Sequence, residues 1–256
     1  MVNLVTLDNR AHRDLRVSRH TSPQAAQVDA VSVIPREFQR LVAHYPIFFT
    51  KSAESGRFEP AALLGFQKKE NLFFVEGRWD VAYVPLQMQR QPFSLVPRRS
   101  ESAGGGQGSL DIALDMSSSR VQAGEGERLF DDDGQPSKYL QGVTSILSTL
   151  VSGSAEGYAF TGKLAELNLI EPVGINIEFV DHSEAKLQGL YWIAAAALKG
   201  LSGAQLTELR DRGFLEWLYF QMASVSHVSS LVARKNKLLI GVTPPRRPEG
   251  PDVGSR

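Results

Sequence analysis

The chain has 256 residues, with 28 basic side chains balancing 28 acidic ones, and it contains no cysteine. Charge balance leaves no global field to hold nucleic acid or an anionic membrane, and the absence of thiols excludes disulfides, thiolate metal sites and a cysteine nucleophile. The longest apolar run, Leu190 to Leu198, spans nine residues, well short of the roughly 20 that a bilayer crossing needs.

Residues 1–29 are polar and poorly periodic, with "TSPQAAQ" marking a loop, and are expected to form a flexible N-terminal arm. They hold no apolar stretch of signal-peptide length, so the expected location is the cytoplasm. From Ala30 to 240 the pattern predicts one α+β domain: a strand-rich N-terminal half with an antiparallel or mixed sheet, packed against C-terminal helices. "VSVIP" and "IFFTK" read as short strands, with a helical segment opening at Pro35, since proline suits a first helical position. "AALLGFQ" and "NLFFVEG", separated by the charged "KKE", read as a hairpin, and "WDVAYVPLQMQ" as its continuation up to Pro85. Glycine and serine concentrate in residues 98–109, a loop leading to the alternating strand "LDIALDM".

After "FDDDGQP" the period becomes helical. Tyr139, Val143, Ile146, Leu147 and Leu150 predict a helix over 136–152, and Phe160, Leu164 and Leu167 a second one over about 156–169. "VGINIEFVD" alternates as a strand, with "GLYWI" as its partner. Helices are predicted at about 203–211 and 213–235, the latter with Leu218, Met222, Val225, Val228 and Val232 as its stripe. Residues 241–256, rich in proline, glycine and charge, are expected to form a disordered tail.

Local motifs carry little chemistry. "AGGGQG" lacks the lysine and hydroxyl of a phosphate loop, and "DDDG" fails the EF-hand spacing, because Leu129 and Leu140 fall at ligand positions. Asp131 to Asp133 instead read as a turn before a helix N-terminus. No G-x-S-x-G elbow accompanies the serines around His227. His182, Glu184 and His227, with Arg234 nearby in sequence, match the residue types of a two-histidine, one-carboxylate iron oxygenase, the alternative to a binding role. The helical period around His227 disfavours that site, and no cofactor is expected.

Aromatic residues are dense between His44 and Pro97, among them Tyr45, Phe48, Phe49, Phe66, Phe73, Phe74, Trp79, Tyr83 and Phe93. Alternation along strands forces some off the core face, where interleaved polar groups would join them in an aromatic, cation-lined groove. Lys51, Asn71, Trp79, Tyr83 and Arg90 are the candidate ligand-binding residues, with a peptide or protein as the partner and no nucleic acid. The competing reading is a packed sheet with solvated charges.

Through these same residues the chain resembles the SapC family. The resemblance rests on "YPIFFTK" (45–51), "LLGFQKKENLFF" (63–74), Trp79 before "YVPLQMQRQPFSL" (83–95), "LFDDDGQPSKYL" (129–140) and the stretch from "GLYWI" to "LVARK" (189–235), and covers about 30–240. It departs at Ala194 to Ala197, where a charged pair is usual, and at the glycine-rich 103–108. What the resemblance implies is an association with a bacterial surface layer, or an accessory role beside halogenase-like or hydroxylase-like enzymes in handling a peptide. It is not the peptide-transporter permease that shares the letters. No catalytic residue carries over from it.

Overall fold

In "IFFTK" the β-branched and aromatic residues favour a pleated, half-buried surface, and Ile47–Lys51 (β4) lies in the middle of a five-stranded sheet. The computed structural model describes residues 2–20, 22–98 and 110–242. The sheet runs Ile170–Glu178 (β12), Glu184–Ile193 (β13), β4, Phe58–Leu63 (β5) and Ala30–Ser32 (β3). Leu4–Thr6 (β1), Leu110–Asp115 (β9) and Phe93–Pro97 (β8) form a second sheet, and Val121–Ala123 (β10), Leu15–Val17 (β2) and Glu127–Arg128 (β11) a third. All strand pairs among the described residues are antiparallel. With the C-terminal helices against the main sheet, the chain is α+β, as expected.

Residues 1–29 are not an arm apart from the domain. Leu4 pairs with Asp115 and Val17 with Val121, and Val17 is fully buried. Three-residue strands carry no readable period, and only pairing with distant strands orders them. The hairpin expected around "KKE" is also replaced: β5 pairs with β3 and β4, while Phe74–Val75 (β6) pairs with Arg78–Trp79 (β7). The stretch after Trp79 leaves the sheet and enters a short helix, Leu86–Gln89 (α2). Most of the glycine-rich 98–109 and the tail beyond Val242 lie outside the described residues; the strands on either side of the former pair as a hairpin would, Pro97 opposite Leu110.

The two helices predicted between 136 and 169 are one, Lys138–Glu166 (α3), capped by Ser137, whose hydroxyl accepts from the Leu140 amide. Gly153 and Gly157 do not break it. They let it seat against Ile34 and Pro35, where a Cβ on Gly153 would stand 2.4 Å from Ile34 Cδ1 and 3.0 Å from its Cβ. The first half of α3 buries Leu140, Val143 and Leu147 against Phe93, Leu114, Leu129 and Val17, and its second half buries Phe160 and Leu164 in the main core. One helix thus crosses both hydrophobic clusters. Each such side chain contributes about 1.5–3 kcal/mol on burial.

The last predicted helix divides into Phe214–Ser224 (α6) and His227–Val242 (α7). Ser224 donates back to the Gln221 carbonyl (2.6 Å) and accepts from the Ile47 amide (3.0 Å), so the helix end is spent on the sheet. Gln221, fully buried, accepts from the Ile193 amide (3.2 Å) and donates to the Ile47 carbonyl (2.8 Å). Strands β4 and β13 pair directly only at Thr50–Leu190 and Phe49–Tyr191. The Gln221 amide continues their ladder where the strands separate. Upstream in β13, Gly189, at φ +73°, absorbs the register shift opposite Val173–Ile175, a backbone angle that glycine adopts without strain.

Gly153→Ala is expected to lose about 1–3 kcal/mol from overpacking against Ile34. Gly162→Ala on the same helix, where an added Cβ meets nothing, is expected to gain about 0.5–1 kcal/mol. Urea midpoints for the two variants measure the contrast, and equal stabilities would remove the close seat as a constraint.

Candidate functional site

The five residues expected to form a groove do not share one. Asn71 is buried: its Nδ2 donates to the Ala25 carbonyl (2.8 Å) and its Oδ1 accepts from the Phe73 amide (3.0 Å). Trp79 packs edge-on to Phe74 at 6.1 Å, at the border of the main core. Tyr83 donates to Glu37 Oε1 (2.9 Å), and its carbonyl accepts from the Tyr45 hydroxyl (2.7 Å). Burial, and then the adjacent Glu37, push the Tyr83 hydroxyl well above its ordinary value. These three side chains hold the 64–85 segment in place. Lys51 stands apart at the end of β4, its ammonium 5.5 Å from the Phe58 ring centre, and Arg90 stands apart after α2.

Beneath Tyr83 lies a buried carboxylate. Glu37 Oε1 accepts from the Leu86 amide (2.8 Å) and from Tyr83, and its Oε2 accepts from the Ile34 amide (3.2 Å). It ties the start of α2 to the turn before Phe38–Leu41 (α1). Burial raises its carboxyl above the ordinary carboxylate value, against the pull of those donors and of Arg40.

His182, Glu184 and His227 are not brought together as metal ligands. His182 lies on the exposed turn of the β12–β13 hairpin, its Nδ1 2.9 Å from Glu178 Oε1, and Glu184 faces Lys186 at 3.4 Å. His227 Nε2 is 2.7 Å from the Val42 carbonyl, which can only accept, so that nitrogen carries the proton and offers no lone pair. Arg234 is held by Asp80, at 2.9 Å, and lies over Phe73. Among the described residues no three His, Cys, Asp or Glu side chains gather to hold a metal ion. The iron-oxygenase reading is corrected on this ground: His182 and Glu184 share the β12–β13 hairpin, His227 lies on α7, and each has its own partner within the chain.

An open groove runs elsewhere, along one flank of α3. Three adjoining cavities make it up. The first is lined by Gln87, Arg90, Leu147, Val151 and Ser154, among others. The second, the narrowest at about 50 Å³, shares Ser154 and is walled by Ile34, Pro35, Phe58 and Tyr158. The third, about 450 Å³, shares Phe58 and Tyr158 and adds Arg57, Gly162 and Ala165. Positions 147, 151, 154, 158, 162 and 165 recur at spacings of three and four, so one helical face lines the whole length. Val151 and Tyr158 are 48% and 42% exposed on it. Tyr158 donates to Glu59 Oε1 (3.1 Å) across the groove, and Arg57 lies 5.4 Å over its ring.

Arg90 closes one end. It donates to Gln87 Oε1 (2.6 Å), the Phe93 carbonyl (2.5 Å) and Ser94 Oγ (2.9 Å), all neutral acceptors. Among the described residues it makes no ion pair, and burial holds its guanidinium below its ordinary value. Of the residues singled out in the sequence, Arg90 lines the groove and Lys51 flanks its far end through Phe58. Arg57, Phe58 and Tyr158 were missed. The available signal was Val151 and Tyr158, large apolar residues lying off the buried stripe of α3.

Residues 7–231 match the family model described as SapC. No curated protein and no solved structure matches the chain. No helix among the described residues is long and apolar enough to cross a membrane.

The raised Glu37 carboxyl binds its proton more tightly folded than unfolded. The stability linked to that proton is therefore fully present below the unfolded value, about 4.3, and is lost as pH rises through the folded value. Glu37→Gln is expected to flatten this part of the profile, measured as urea midpoints between pH 4 and 8. Parallel profiles for the two proteins would show that Glu37 does not carry the dependence.

Proposed function

The chain belongs to the SapC family, and from that premise we propose that it is a non-catalytic accessory protein that binds an extended peptide segment of a protein partner in the groove along α3. The observation that carries this reading is the row of three adjoining cavities that share Ser154, Phe58 and Tyr158, ending at an arginine with no carboxylate partner. From Leu147 to Ala165 the helix rises about 27 Å at 1.5 Å per residue. That length accepts roughly eight residues of extended chain.

Chemically the groove is equipped to hold a chain. Among the described residues, its hydroxyls at Ser94, Ser154 and Tyr158 make no hydrogen bond to a histidine, and Tyr158 donates to the Glu59 carboxylate across the groove. Its apolar surface, supplied by Phe58, Val151 and Tyr158, suits side chains of a bound segment, and its polar groups are few and placed at the ends and the middle. A role beside a peptide-modifying enzyme fits such a surface.

Eight-residue peptides selected from a random displayed library on the full chain test this. Ser154→Trp fills the junction of two cavities from an exposed position and is expected to weaken the selected peptides at least about tenfold, a difference of about 1.4 kcal/mol. Ser152→Trp, on the opposite side of the helix, is expected to leave binding unchanged. Equal binding by wild type and Ser154→Trp, with folding verified by circular dichroism, would remove the groove as the binding site.

A further inference from the structure

We propose that the groove selects an acidic peptide, one with carboxylates toward both ends, met by Arg90 at one end and by Arg57 and Lys51 at the other. This rests on the reading of the groove as a peptide site and assigns the chemistry of its ligand.

The charges facing the groove carry the argument. Arg90 is half-buried against Gln87, Phe93 and Ser94, and its three acceptors are all neutral. A guanidinium held this way has lost part of its hydration with no countercharge in return, and an incoming carboxylate supplies the charge-assisted bond that it lacks. At the far end Arg57 stacks on Tyr158 at 5.4 Å and Lys51 lies 5.5 Å from the Phe58 ring centre. Neither makes an ion pair among the described residues. Both rings line the groove; Arg57 stands at its wall and Lys51 beside it, against Phe58.

One carboxylate, Glu59, lies between them, and the Tyr158 hydroxyl already donates to it. The charge pattern along the channel is therefore positive, negative, positive. It disfavours a carboxylate at the centre of the bound segment and favours one toward each end. Arg36 and Glu156, also near α3, pair with each other and offer no further charge. The arginines meet α3 about ten to eleven residues apart, roughly 16 Å along the helix, so the two acidic positions fall about five residues apart in an extended peptide.

The same displayed library, selected in parallel on wild type and on Arg57→Glu, reads the inference directly. Arg57 is exposed, so its reversal leaves the fold intact. Wild type is expected to enrich Asp or Glu toward both ends of the peptide, and Arg57→Glu to exchange the acid at one end for Lys or Arg. For a selected peptide, replacing the acids by Asn or Gln is expected to cost about tenfold in affinity in low salt, and Arg90→Gln to remove the contribution of the other end. Neutral selections whose binding is still abolished by Ser154→Trp would overturn the acidic assignment and leave the groove standing. Selections indifferent to Ser154→Trp would overturn both.

Discussion

The seat of α3 on Ile34 and Pro35 is the contact on which the rest of the molecule depends. A 29-residue helix crosses two hydrophobic clusters, and it can approach the turn before α1 because Gly153 and Gly157 present no side chain there. That approach sets the distance between the helix and the β3 and β5 strands. With the helix held so close at its middle, the small and half-exposed residues on its flank leave a channel between helix and sheet. The groove is thus a product of the packing that joins the two cores, and its width is tied to their stability.

Buried polar groups supply the other joints. Glu37 gathers the amides of Ile34 and Leu86 and the hydroxyl of Tyr83, and Gln221 with Ser224 takes up backbone groups of Ile47 and Ile193. An apolar residue at either place would leave those amides or carbonyls without partners in the interior, which costs more than the bond itself contributes. Such joints fix the geometry of loop, helix and sheet more sharply than apolar contact does, because each has a direction.

Fold class and most regular elements were legible because they rest on period: β4, β9, β12 and β13 follow their apolar spacing. What period does not encode was misread. Leu4–Thr6 and Leu15–Val17 are too short to show one, and "SGSAEG" inside α3 looks like a break until its glycines are seen against Ile34. Ser224 ends α6 through a bond to a strand nearly 180 residues away. The groove was harder still, since Arg57, Arg90 and Tyr158 are brought to one flank of α3 only by the fold. Residue type alone selected Asn71 and Tyr83, whose polar atoms are turned to neighbouring backbone and to Glu37, and it selected Arg90, whose guanidinium lines a cavity.

The way Gln221 enters the sheet also alters what the sheet's amides report. In an ordinary ladder an amide proton is shielded from solvent by the neighbouring strand, and it exchanges when strands part. Here the Ile193 and Ile47 protons are held by side chains of α6. Their exchange is governed by undocking of that helix, so two positions at the ends of inner strands serve as clocks for a helical motion.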